Sequence, residues 1–265
     1  MNLSLSPELI VAALSAVLSL GAGVLGARAN QRAKQLDYKL KRQEKQDDAA
    51  DVAQRILHRY RDPLLDAAQT LQSRSFNIVA NGYLATYLNC DDSEERVYAR
   101  RYTVFAVAEY MTWVEIVRRE LRFLDVGDED RNRQLLARLT KTQVTLQSDK
   151  IRGPFRVFRG RQRAIAELMM VPTGATEGPQ KECIGYAAFC DRLDDDPDFA
   201  GWFTGLLDEV DLLVVRDNDD RIIQLQNDLV DLIDHLDPNA LRIPPDFRHR
   251  LNQVSPIPVP AQATR

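Results

Sequence analysis

Five arginines, Arg152, Arg156, Arg159, Arg161 and Arg163, fall within twelve residues, with Phe155 and Phe158 among them. A guanidinium fork matches phosphate oxygens two at a time, so such a run could clamp a phosphate or a lipid head group. The competing reading is internal pairing, because the chain that follows is acidic and surface charge clusters are more often paired or solvated than built into sites. Sequence alone favours pairing, with Asp194, Asp195 or Glu167 as expected partners, and keeps the anion site as the alternative.

The other chemistry-bearing residues are weaker candidates. Asp194, Asp195, Asp196 and Asp198, and again Asp217, Asp219 and Asp220, form acidic knots. A calcium loop needs alternating oxygen ligands, a central glycine and a distal glutamate, and neither knot has them. Both precede expected helices, where capping explains carboxylates. Asp228, Asp231, Asp234 and His235 follow one another along the last helix, but without the Glu-x-x-His spacing of di-iron bundles they read as a solvated face. Cys183 and Cys190 are seven apart, are expected on one helix face and read as buried thiols. No nucleophile elbow, phosphate loop or zinc-protease motif occurs. No metal site, no cofactor and no catalytic residue is assigned.

The element that would place these residues is residues 9–27, LIVAALSAVLSLGAGVLGA, which contain no charge. At ~1.5 Å per residue a helix of that length just crosses a ~30 Å hydrocarbon core. A cleaved signal peptide is the rival, but no Lys or Arg precedes the stretch. The positive charges follow it: Arg28, Arg32, Lys34, Lys39, Lys41, Arg42 and Lys45. Positive flanks stay cytoplasmic. The expectation is therefore a single-pass inner-membrane protein with residues 1–8 outside and the rest in the cytoplasm. The seven cations would also hold anionic lipid heads. Ser15, Ser19 and Gly23, spaced by four, would let two spans pack closely in a homodimer.

Residues 28–60 read as a long polar stalk helix and 61–240 as a cytosolic helical bundle. Asp62-Pro63 is taken as a helix start, and helices are expected over 63–80, 93–124, 128–148, 161–170 and 183–193, then from Pro197 and from Asp220. The middle of 93–124 is apolar nearly all round, which marks a central core helix carrying Trp113. Trp202 is placed on a buried stripe with Phe199 and Phe203. No strand ladder is seen, and 241–265 reads as a Pro-rich disordered tail. The class is all-α. Three scattered cysteines suit a reduced compartment. Charge is uneven: residues 1–163 sum to +7, residues 164–240 to −14 and the remainder to +3. A segment so acidic is repelled by nucleic acid, which excludes that partner.

The segments YRDPLLDAAQTLQSRSFNIV, FRGRQRAIAELM and CIGYAAFCDRL resemble those of uncharacterised bacterial helical proteins with an N-terminal membrane anchor. The resemblance spans about 60–238. It implies a tethered helical domain and carries over no functional residue. The function expected is a membrane-tethered interaction or regulatory module without catalytic activity, binding lipid and a protein partner. The alternative is a sensor or enzyme acting on a phosphorylated small molecule or lipid head group held by Arg152–Arg163. A reporter fused after Arg265 should stand on the cytoplasmic side; a reporter active outside, or a mature chain beginning near Asn30, would contradict the anchor.

Overall fold

The computed structural model describes residues 31, 34–44, 59–122, 129–174, 181–215 and 218–251. The chain divides into Met1–Asp51 and Val52–Arg265. In the first unit, residues 34–44 are helical with exposed side chains, and Lys41 pairs with Asp37 one turn away at 3.1 Å. Lys34, Lys39, Lys41 and Arg42 stand on this polar helix. The stretch 9–27 with Ser15, Ser19 and Gly23 lies outside the described residues, as do Arg28, Arg32 and Lys45. No described helix is long and apolar enough to cross a membrane.

The described part of the second unit is helical apart from one short ribbon. Residues 59–81 form α1; Gly82, at φ 61°, breaks the chain before α2 (Tyr83–Tyr87). Asp92 then accepts the backbone N–H groups of Glu94 and Glu95 and starts α3 (Ser93–Arg122). Along its middle Val104, Ala106, Ala108, Met111, Trp113, Val114, Ile116 and Val117 are all buried. Thr103 and Thr112 are tolerated in that interior because each hydroxyl donates back to a carbonyl one turn earlier, at 2.7 Å. Around α3 stand α4 (Glu129–Gln147), α5 (Arg159–Met169), α6 (Tyr186–Asp195), α7 (Pro197–Val215) and α8 (Asp220–Leu236). Helix α3 packs on α5, α6 and α7, while α8 packs on α4. Phe105, Phe189, Phe199 and Phe203 join α3 to α6 and α7 edge-on or tilted, at centroid distances of 4.6 to 5.9 Å.

Several expectations are corrected. Helix α1 runs through Asp62-Pro63 rather than starting there. Tyr60, Leu64, Leu65, Ala68 and Leu71 are buried on one face, and that burial outweighs the ~3 kcal/mol a proline costs inside a helix. A two-stranded antiparallel ribbon exists after all: β1 (Met170–Pro172) pairs with β2 (Lys181–Cys183), Met170 opposite Cys183. Strands of three residues are too short to display a period of two. Cys183 lies in β2, so it shares no helix face with Cys190. Trp202 is 44% exposed on α7, while Phe199 and Phe203 are buried. The tail does not begin at 241. Asp237, 1% exposed, accepts the N–H groups of Leu241, Arg242 and Ile243 at 2.9 to 3.0 Å and the Arg248 guanidinium at 2.7 Å. These bonds fold residues 241–251 back, with a 3₁₀ turn at Pro245–Phe247 and with Ile243 and Leu251 buried. Residues 252–265 lie outside the described residues.

Replacing Trp113 by Ala should cost roughly 3–5 kcal/mol. Trp202→Ala should cost less than about 1 kcal/mol. Chemical denaturation of the two variants checks both, and a large loss at Trp202 would contradict its position at the surface.

Candidate functional site

The arginine run occupies the connection from α4 to α5 and the first turn of α5. Its path is set from beneath. Arg221, 1% exposed at the start of α8, donates to the carbonyls of Thr145, Ser148 and Ile151 at 2.6, 2.9 and 2.5 Å. Burial, and secondarily nearby Arg156, pull its pKa down, yet arginine remains charged. The end of a helix carries unsatisfied carbonyls and partial negative charge, so one guanidinium gathers the end of α4 and the turn after it. Gly153 follows at φ 101°, where a Cβ would stand 2.7 Å from the Asn218 carbonyl oxygen. Phe155 has φ 70°, uncommon for a side-chain-bearing residue, and donates its N–H to Glu209 Oε2 at 2.7 Å. Val157 donates to Leu146 O at 2.8 Å, and the buried Gln162 amide donates to Val157 O and Gln143 O.

The result is an alternation. Phe155 and Val157 point into the core, while Arg156 and Phe158 point out. Phe158 is 61% exposed, and the Arg156 guanidinium lies 4.9 Å from its ring centroid. Helix α5 has no acidic residue in its first turn and no side-chain cap; Arg159 and Arg161 occupy that turn instead. Positive charge there opposes the helix dipole, at a typical cost of about 0.3–1 kcal/mol per charge.

The five arginines divide into two sets. Arg163 pairs with Glu167 at 3.2 Å and Glu115 at 3.5 Å, as internal pairing anticipated for Glu167. Arg161 donates to the Trp202 carbonyl at 2.7 Å and lies so close to Gly205 that a Cβ there would meet its Nη1 at 2.9 Å. Arg152, Arg156 and Arg159 are exposed, and among the described residues no carboxylate pairs with them. Asp194 is engaged elsewhere, by Arg101 at 2.5 and 2.9 Å, which holds its carboxyl below the usual range.

The remaining candidates are accounted for locally. Asp196 Oδ1 accepts the Phe199 N–H and starts α7, whereas Asp219, ahead of α8, makes no side-chain cap. The last-helix carboxylates are not a solvated face. Asp228 is buried against Thr145, Gln224 and Lys141, and Asp231 binds Lys141 at 2.9 Å and Arg250 at 2.8 Å. Asp231, Asp234 and His235 line an open cleft of about 760 Å³ with Arg138 and Lys141. Lys141 and both carboxylates are committed to neighbours, so the cleft offers balanced rather than free charge. Among the described residues, no group of three His, Cys, Asp or Glu is placed to hold a metal. Burial and Glu109 push the Cys183 thiol up to about 12, so it is neither thiolate nor nucleophile.

One titratable group escaped sequence reasoning. Glu109, half-buried on α3, has its carboxyl raised by burial and then by Asp66 on α1. Its only signal was a charge inside an apolar run. Compared with protein families, with curated proteins and with solved structures, the chain shows no match.

A carboxyl raised by folding favours the protonated form, so charged Glu109 weakens the fold above its folded pKa. That penalty disappears as pH falls below the unfolded value of about 4.3. Glu109→Gln should therefore raise the melting temperature at pH 7 and leave it unchanged near pH 4, as calorimetry at the two pH values would read.

Proposed function

We propose that the chain is a membrane-tethered interaction module without catalytic activity, of the kind its resemblance to anchored bacterial helical proteins implies. Residues 9–27 are the tether, residues 28–60 the basic stalk, and the helical domain works on the cytoplasmic side. One observation carries the interaction reading: Arg152, Arg156 and Arg159 stand exposed, no described carboxylate pairs with them, and Arg156 lies against the exposed Phe158 ring. An enzyme or small-molecule sensor would need such groups gathered around a concave pocket. Exposed to solvent, they suit a surface contact. The partners proposed are membrane lipid and a protein, with self-association through Ser15, Ser19 and Gly23.

Two measurements test this. Membranes bearing the full chain are washed with alkaline carbonate: the chain should remain, and a variant lacking residues 9–27 should be released. Release of the full chain would defeat the tether. Thermal melts are then run with inorganic phosphate and nucleoside monophosphates. R152A/R156A/R159A should melt within about 2 °C of the parent, because exposed, unpaired charges contribute within about 0.5 kcal/mol. No compound should raise the melting point in an arginine-dependent way. A rise in the parent that is lost in the triple variant would favour the phosphate sensor instead.

A further inference from the structure

We infer that the occupant of the Arg152–Arg156–Phe158–Arg159 face is the anionic surface of a lipid bilayer. This rests on the tethered-module reading and names what its basic face meets. The first argument is composition. Three exposed arginines that no described carboxylate pairs with share one short segment with Phe158, a ring that is 61% exposed and lies 4.9 Å from the Arg156 guanidinium. Polar–apolar alternation of this kind suits the head-group boundary, where guanidinium groups meet phosphates and a ring reaches the first methylenes.

The second argument is rigidity. Phe155 and Val157 are buried beneath the face, and the Glu209 and Leu146 bonds hold the backbone between them. The outward residues are therefore presented on a fixed base, and docking need not first order the segment.

The third argument is charge complementarity across the whole chain. Residues 164–240 carry four Lys and Arg against eighteen Asp and Glu, and the ion pairs that reach them from α3, α4 and the segment after α8 leave no comparable run of cations there. The segment 152–163 carries five arginines and no acid. An anionic plane therefore selects one orientation, with this face down. Among the nearby acids, Glu209 is committed to the Phe155 N–H, and Glu167 to Arg163 and Arg119. Each unpaired arginine near an anionic surface should strengthen docking about fivefold, or roughly 100-fold for the three.

The test reads position 158 directly. F158W is placed in full-length W202F, leaving Trp113 buried. The protein is incorporated into vesicles of phosphatidylcholine carrying acyl-chain bromine, with or without phosphatidylglycerol. Tryptophan quenching should appear only with phosphatidylglycerol, fade at high salt, and vanish when R152A/R156A/R159A is added. Equal quenching in pure phosphatidylcholine, or quenching that survives the triple substitution, would overturn the inference. So would an emission change of the same size produced by glycerol phosphate in solution, which would assign a free phosphate ligand. Protection of position 158 by cross-linking to the acidic segment of a second copy, without quenching, would assign an acidic protein partner and equally overturn it. Because the probe is local, the result is separable from the tether: a chain released by carbonate can still be added to the same vesicles and scored.

Discussion

The second unit depends on one buried cation. Arg221 has no carboxylate partner among the described residues; backbone carbonyls at the end of α4 and in the turn beyond it solvate its charge instead. An unpaired buried charge would be prohibitively costly, so those carbonyls must remain where they are. The constraint runs both ways. It fixes the start of α8 against the end of α4, and it fixes the direction in which the chain leaves α4. Gly153 and Phe155 then accept positive φ because the exit path is already determined. The outward display of Arg156 and Phe158 is thus a consequence of an interior contact.

Charge elsewhere follows a simple division. The acidic half of the domain is neutralised mainly by cations of α3 and α4 and of the segment after α8. Arg100 reaches Asp208 and Asp211, Arg101 reaches Asp194, Lys141 reaches Asp228 and Asp231, and Arg250 reaches Asp231 and Asp234. Among the described residues, only Arg163 of the run joins this scheme through side-chain carboxylates. Nearness in sequence between the arginines and the acids that follow was therefore a poor guide. The acids find partners on helices and segments distant in sequence, such as Arg101 for Asp194 and Lys141 for Asp231.

What could be read from the sequence was what has a period or a cap. Helix α3, with Trp113 in an apolar middle, and α8, with Ile222, Leu225, Leu229, Leu232 and Ile233 on one stripe, follow from spacing alone. Asp196 marks a helix start because a short carboxylate satisfies a free N–H group. Elements decided by tertiary contact were hidden. Pro63 lies within α1 because the face around it is buried, and the β1–β2 ribbon is too short to show alternation. Trp202 shares a helix with Phe199 and Phe203 but sits beyond the edge of their stripe. Arg221 follows two aspartates at a helix start and looks like any exposed cation. Asp237 resembled a helix stop, and it is one, but its larger effect is to fold back the chain that composition marked as tail.

For the candidate site, the sequence supplied the residues and one of the expected partners: Glu167 takes Arg163, whereas Asp194 is taken by Arg101. Composition exposed the five arginines, but only the fold separates them into two that hold α3, α5 and α7 together and three that face out. The separation has an energetic signature. Arg159 sits in the first turn of α5, where the dipole favours an acid, and Phe158 is exposed where a polar residue would cost nothing. Their coincidence with Arg152 and Arg156, on a backbone held rigid from below, is most economically explained by an anionic surface that this segment meets.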